Sequence, residues 1–497
     1  MKKLFLLYAF FFILIIANAR FSQNVSGEHD GVVINNDTCI KIDKYLSQLV
    51  IEKNFSGGLL IIKDGKKILS KGYGWANKES GIAFTPSTLA SMGSITKSFT
   101  ASAIMKLFEQ KKLDLKDNLK NFFPSVPPDK AGISIHQLLT HSSGFHELQN
   151  DGGDYEKIEK EEYLNRVFNV PLSFKPGEKA VYTNINMGIL AIIIEQVSGM
   201  NYESFLKKYL FTPAGIKNIG YCYPAADNIN IAHGYQNGKD WGTHPQHFAV
   251  AGGGPYWNLK GSGGLQASLN DMYLWAMGIS KSILSKESIE KMFTPYIKEE
   301  ETNGFYSFGY GCTISKSRRN TKAIDNGGSN GVYFARLIRL PEEGLIFYMV
   351  TNESSINANM VLPNVTQLYF NGTIAQDATV KQRFDSPLAE KIYTLLADEK
   401  LNDLGVALKK ENIVVEDDMV LLEVGQKLIE EQKADKALLL YQLYTKTFPQ
   451  IIVAWNDLGD VYLMKQNKEA AIKCYQQALK LRPDNARAKE NLIRLAN

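Results

Sequence analysis

The chain is poor in the residues that staple or load a fold. Its 497 residues include only four cysteines, Cys39, Cys222, Cys312 and Cys474, and they are too scattered for a metal-ligand spacing. This argues against structural zinc and against a disulfide framework, although one Cys222–Cys312 bridge stays open. Histidine is scarce too: seven residues, none beyond His247, so no imidazole is available in the second half of the chain. The formal charge of +4 is too slight to mark a nucleic acid or an anionic surface as partner. Two glycine patches, Gly252–Gly254 and Gly261–Gly264, are not followed by the Lys-Ser or Lys-Thr of a phosphate loop. No cofactor or metal is therefore expected. The one unbroken apolar run, Leu4–Ile16, is shorter than the roughly 20 residues of a membrane span.

That run follows Lys2 and Lys3 and precedes Ala17-Asn18-Ala19, the pattern of a secretory signal peptide. We expect residues 1–19 to be a leader and the protein to be secreted or periplasmic, or membrane-anchored where the leader stays uncleaved. Residues 20–38, rich in Ser, Asn, Gly and Asp, are expected to be a flexible tail. The length beyond this calls for two or three domains.

From Cys39 to Glu52 the apolar spacing predicts a helix. Gly57–Ile62 and Lys67–Tyr73, joined through Asp64-Gly65, predict a hairpin. Strand signals return at Tyr306–Thr313, Val332–Leu340 and Leu345–Thr351, with Asp325–Gly331 between them. Ser94 and Lys97 open a segment with apolar residues at Ile95, Phe99, Ile104, Leu107 and Phe108. One helical turn puts both side chains on one face, so the lysine nitrogen reaches the serine hydroxyl. Activated serine nucleophiles need such a neighbour. By itself the pair is equally an N-terminal serine cap and a solvated lysine. Tyr182-Thr183-Asn184, just before an apolar helix from Met187 to Ile194, places a phenol and an amide where both can enter a cleft. His141, at the end of a short helix in Ile133–Gly144, reads more simply as a structural histidine than as half of a Ser-His dyad.

Taken in order, Ser91-Met92-Gly93-Ser94-Ile95-Thr96-Lys97, Leu138-Leu139-Thr140-His141-Ser142-Ser143-Gly144, Phe174-Lys175-Pro176-Gly177, Tyr182-Thr183-Asn184 and Gly263-Gly264-Leu265 resemble the serine β-lactamase and penicillin-binding protein superfamily. The match is to the branch of class C β-lactamases, D-alanyl-D-alanine carboxypeptidases and esterases. The resemblance covers about residues 40–375. It implies an α/β fold, an antiparallel sheet flanked by helices plus a helical cluster. It also implies Ser94 as the acylated nucleophile, with Lys97 and Tyr182 sharing its proton. Tyrosine has an ordinary pKa near 10, so Lys97 is expected to act as the cation that lets Tyr182 serve as base. Asn184 is expected to bind the substrate amide, and the backbone of Ser94 and of the strand near Gly328 to form an oxyanion hole.

Relatives carry Lys or His, then any residue, then Gly on that strand. Here the preferred register puts Asp325 at the basic position, followed by Asn326, Gly327 and Gly328; the alternative puts Asn326 there and Gly328 at the glycine. Asp325, Gly327 and Gly328 are thus candidate substrate-binding residues. An aspartate facing the substrate would repel a carboxylate, which favours a neutral or cationic ester or amide.

Beyond residue 376 the pattern turns helical and charged. Trp455, Leu458, Gly459, Tyr462, Ala471, Tyr475, Ala478 and Pro483 match the tetratricopeptide pattern, and Leu421, Val424, Gly425, Leu428, Ala437, Tyr441, Tyr444 and Pro449 repeat it about 34 residues earlier. The expected organisation is leader 1–19, tail 20–38, β-lactamase-like serine hydrolase domain 39–375, helical linker or half-repeat 376–417, and tetratricopeptide repeats with a capping helix 418–497. The expected function is an exported serine hydrolase acting through Ser94 on a small-molecule or peptide substrate, with a protein partner for the repeats. The alternative is a catalytically degenerate fold that acts as a binding protein through them.

Overall fold

A computed structural model describes residues 33–147, 153–221, 230–236, 238–250, 253–299, 306–317, 319–374, 387–398, 401–415, 418–483 and 485–496. The expected leader, 1–19, most of the expected tail and Cys222 lie outside them. Cys39, Cys312 and Cys474 are buried free thiols; the open Cys222–Cys312 bridge involves a residue outside the described ones. No helix among the described residues is long and apolar enough to cross a membrane. The chain forms two compact units, the first holding the described residues 33–147 and those from 154 to 374, the second holding Gly153 and the described residues from 387 on.

The first unit is built on a nine-stranded sheet. Its strands are β1 (Val33–Ile34), β2 (Gly57–Lys63), β3 (Lys66–Tyr73), β4 (Ile297–Lys298), β5 (Ser307–Phe308), β6 (Thr313–Lys316), β7 (Lys322–Ser329), β8 (Phe334–Leu340) and β9 (Leu345–Thr351). They lie in the order β1-β3-β2-β9-β8-β7-β6-β5-β4, every neighbour antiparallel. The β2–β3 turn forms as its sequence predicts: Asp64 and Gly65 take φ of 49° and 78°, the left-handed pair of a two-residue hairpin loop. Gly57–Ile62 are all buried. Successive residues point to opposite sides, so the sheet is covered on both faces. Helix α1 (Asp37–Lys53) packs on β3, and Asn36 caps it by accepting from the Cys39 N–H at 2.8 Å.

Two expectations need correction. The end of the presumed tail is structured, because Val33 and Ile34 pair with Ser70 and Leu69 of β3 and so cover the sheet edge. Tyr306–Thr313 is not one strand: β5 and β6 are separated by a turn in which Gly311 takes φ 68°.

Helices α2 (Thr96–Glu109) and α3 (Ile185–Ser198) position the site, and α4 (Leu269–Gly278) packs on β2 and β9. Helix α3 is buried from Ile185 to Ile194, which explains its nearly unbroken apolar sequence, and α2 packs against it. Ser268 and Asp271 close a capping box at the start of α4. Helix α5 (Ala358–Asn371) packs on β8 and β9.

The second unit is all helical: α6 (Pro387–Leu396), α7 (Leu404–Lys410), α8 (Asp418–Glu430), α9 (Ala434–Thr447), α10 (Ile452–Met464), α11 (Lys468–Leu481) and α12 (Ala486–Ala496). The repeat is visible in packing. A Cβ on Gly425 would stand 2.4 Å from the Tyr441 ring and one on Gly459 2.6 Å from the Tyr475 ring, so each glycine admits the tyrosine of the next helix. Arg487 of α12 pairs with Asp457, at 2.7 Å, and with Asp460, both of α10.

Candidate active site

Ser94 lies on a short 3-10 turn, Gly93–Ile95, that leads directly into α2. Gly93 is required there. Its φ is +50°, and a Cβ would sit 2.5 Å from the backbone nitrogen of Ser329. The turn is tied by Thr96 Oγ1, which donates to the Gly93 carbonyl at 2.8 Å. One turn on, Lys97 Nζ donates to Ser94 Oγ at 2.9 Å, the contact that the Ser-x-x-Lys spacing predicts.

Lys97 is buried at 3% exposure. Its nitrogen also donates to Asn184 Oδ1 and to the carbonyl of Ser262, both at 2.7 Å. Burial lowers its pKa from 10.5 to about 7, against the pull of the Glu147 and Asp154 carboxylates. Tyr182 Oη donates to Ser94 Oγ at 2.7 Å. Burial, with Glu147, Glu299 and Asp154 nearby, pushes its pKa well above the ordinary value, although the bond to Ser94 works the other way. The two groups on Ser94 are thus driven apart, lysine toward the free amine and tyrosine toward the neutral phenol. Such divergence assigns proton acceptor and donor. These directions run opposite to the expectation that cationic Lys97 lets Tyr182 serve as base.

The accessory motifs form the frame that carries Tyr182 and Asn184. Gly177 N–H donates to the Ser142 carbonyl at 2.7 Å, Ser173 N–H to Gly144 at 2.9 Å and Val181 N–H to His141 at 3.0 Å. Ser143 Oγ donates to Asn186 Oδ1 at 2.7 Å. His141 stacks on Tyr182, with ring centroids 5.0 Å apart. Burial and the charge of Lys97 lower its pKa to about 3, so it is a neutral neighbour of the site.

Strand β7 supplies the opposite wall. A Cβ on Gly328 would fall 2.1 Å from the Met92 carbonyl and 2.8 Å from the Ser94 nitrogen, whereas one on Gly327 would meet nothing within 4 Å. Gly328 is therefore the position where only glycine fits, and the alternative register holds: Asn326, not Asp325, stands where relatives keep a cation. Asn326 and Gly328 share a face, and Asp325 and Gly327 share the other. Asn326 Nδ2 donates to the Gly311 carbonyl at 2.6 Å, and Gly311 abuts the carbonyl of Lys97. Asp325 instead binds Arg336 of β8 through Nη2 at 2.6 Å and Nε at 3.1 Å. A carboxylate paired in this way does not repel a substrate, so Asp325 sets no preference against a carboxylate, contrary to expectation.

Strand β6 pairs with β7 only over Lys322–Asp325. Beyond that, among the described strands none pairs with this edge of Asn326–Ser329. The backbone nitrogens of Ser94 and Ser329 lie against Gly328 and Gly93 respectively. Two such N–H groups are what stabilises negative charge on a carbonyl oxygen.

Four contributors carry no recognisable signal in the chain: the Ser262 carbonyl and the acids Glu147, Asp154 and Glu299. Glu147 accepts from the Asn184 N–H, and Glu299 is bridged to Ala180. Elsewhere, Glu79, His233 and Asp240 bring ligating atoms within 4.8 Å of one another. Both ring nitrogens of His233 already have partners, Asn77 Nδ2 at 2.9 Å and Asp240 at 3.0 Å.

The family model described as beta-lactamase matches residues 42–366, and a tetratricopeptide repeat model matches residues 452–485. A putative penicillin-binding protein, PbpX, of Bacillus subtilis (strain 168) is 30% identical over 268 residues, 54% of this chain and 64% of that protein. The chain thus spans somewhat under two thirds of that relative. Protein flp of Staphylococcus aureus (strain N315) is 26% identical over 374 residues, 74% of this chain and 68% of that protein. Among solved structures, the octameric penicillin-binding protein homologue from Pyrococcus abyssi is 29% identical with a TM-score of 0.59, covering 71% of this chain and 81% of that one. With the Ser94 site on a β-lactamase-like fold and a family match over most of the chain, this protein belongs to the beta-lactamase family of serine hydrolases and penicillin-binding proteins, with tetratricopeptide repeats at its C-terminal end.

Proposed function

We propose that the protein is an exported serine hydrolase that cleaves an ester or amide by acyl transfer through Ser94. The observation that carries this reading is the pair of hydrogen bonds on Ser94 Oγ, from Lys97 at 2.9 Å and Tyr182 at 2.7 Å. Near neutral pH a large share of Lys97 is the free amine. On losing its third proton the amine keeps its two hydrogens on Asn184 and Ser262, so the contact with Ser94 reverses and its lone pair accepts the Ser94 hydroxyl. As Oγ attacks the substrate carbonyl carbon, its proton passes to Lys97. The developing oxyanion lies against the N–H groups of Ser94 and Ser329. Collapse breaks the bond to the leaving group, which takes a proton relayed through the Tyr182 hydroxyl. Water then attacks the Ser94 ester and gives up a proton by the same route, releasing the acid and restoring Ser94.

The substrate we infer is neutral or cationic. Asn326 offers no positive charge, and Glu147, Asp154 and Glu299 lie close enough to act on Lys97 or Tyr182. An ammonium-bearing ester or amide suits such surroundings, and a carboxylate does not. Export is supported by the leader sequence. The repeats support docking of a protein partner. The alternative, a binding protein without turnover, draws on the missing cation alone.

A panel of short-chain nitrophenyl esters, aminoacyl esters, a chromogenic cephalosporin and D-Ala-D-Ala peptides tests the proposal. Turnover is expected for neutral or ammonium-bearing substrates and is expected to vanish in Ser94→Ala. Saturable binding with no turnover of any member would favour the binding protein.

A further inference from the structure

We propose that His141 is a positioning residue for the Tyr182 phenol, serving at once as the platform under its ring and as the anchor of the peptide groups beside it. The inference rests on the acyl-transfer reading above. His141 is 3% exposed and lies between two rings, stacked on Tyr182 at 5.0 Å and 26° and tilted against Phe308 at 4.8 Å. Its Nδ1 is 3.3 Å from the Thr183 N–H and 3.3 Å from Asn186 Nδ2. Both neighbours are donors, so Nδ1 is the acceptor and the ring hydrogen is on Nε2. Its carbonyl accepts the Val181 N–H at 3.0 Å. The N–H groups of the residues before and after Tyr182 are thus both held by one residue.

That residue sits at φ +55°, a conformation that costs a non-glycine residue energy and persists where its surroundings over-determine it. The chemistry narrows which side chain can serve. Phenylalanine has the ring but no acceptor. Asparagine carries an acceptor oxygen on Cγ, where histidine carries Nδ1, and tolerates positive φ, but it has no ring. Of the three, histidine alone supplies both, and the two donors on Nδ1 hold it as a neutral ring. The Ser-His dyad is a different role: the partners of Ser94 Oγ are Lys97 and Tyr182, and His141 acts through the latter.

A double-mutant cycle tests this in the full chain, read as the second-order rate of fluorophosphonate labelling of Ser94, with thermal midpoints alongside. His141→Asn keeps the anchor and removes the platform. It is expected to slow labelling about tenfold, since small misplacements of a catalytic group cost one to two orders of magnitude. In a Tyr182→Phe background the same substitution is expected to slow labelling no further, because the hydroxyl it positions is gone. Labelling of His141→Asn at the wild-type rate overturns the proposal, as does an equal slowing in both backgrounds. His141→Phe, expected to slow labelling through loss of the anchor, takes its place in the cycle if the asparagine variant does not fold. A wild-type chain that is not labelled at Ser94 overturns the acyl-transfer reading itself, and the proposal with it.

Discussion

At the scale of single residues, the proposed chemistry rests on burial that favours the free amine of Lys97 and the neutral phenol of Tyr182. If free Lys97 is the base, the rate of Ser94 labelling should rise with pH through an inflection near 7 and level off above it, as the amine loses its proton. The Glu147 carboxylate raises the Lys97 pKa, so Glu147→Gln should move that inflection to lower pH; an unmoved or raised inflection contradicts the assignment. Ser94, Lys97, Tyr182 and Asn184 could all be read from the chain because each lies in a short motif whose spacing carries its geometry. The base assignment could not. It depends on how deeply Lys97 and Tyr182 are buried and on Glu147, Asp154 and Glu299, which reach the site through tertiary structure and sit in no motif.

At the scale of the element, β7 shows how a reading can be one residue out. In a strand, a slip of one position turns every side chain to the other face, and the repetitive run Asp325-Asn326-Gly327-Gly328 offers two registers of similar appeal. What decides between them is the Met92 carbonyl, 2.1 Å from a Cβ on Gly328, a contact between segments far apart in the chain. Two outcomes follow. Gly328→Ala must push this strand away from Ser94, and activity should fall by roughly two orders of magnitude, the cost of losing one oxyanion donor; Gly327→Ala, where the space is open, should be mild. Asp325→Ala leaves Arg336 without its carboxylate in a mostly buried place and should cost about 3 kcal/mol by chemical denaturation. It should leave the ranking of neutral over carboxylate-bearing substrates unchanged. Asn326→Lys should alter that ranking by restoring a cation on the face of Gly328.

At the scale of the molecule, two local signatures can be followed from the chain into the structure. The Asp-Gly hairpin signature of 57–73 and the helical repeat of 418–483 survive as β2–β3 and α8–α11. The strands β1 and β4–β6 were harder to read, since they are short and are held by their neighbours rather than by pattern. Repeat stability comes from neighbouring helices, so Gly459→Val, forced against Tyr475, should lower the melting of the helical unit while Ser94 labelling persists. Loss of labelling in that variant would mean that the repeats take part in the chemistry. The most direct test of the account is intact-protein mass and peptide mapping after a fluorophosphonate, with wild type, Ser94→Ala and Lys97→Ala side by side. The account predicts one adduct on Ser94 in wild type, none in Ser94→Ala and a rate reduced by orders of magnitude in Lys97→Ala; an unlabelled wild type, or an adduct that survives Ser94→Ala, contradicts it.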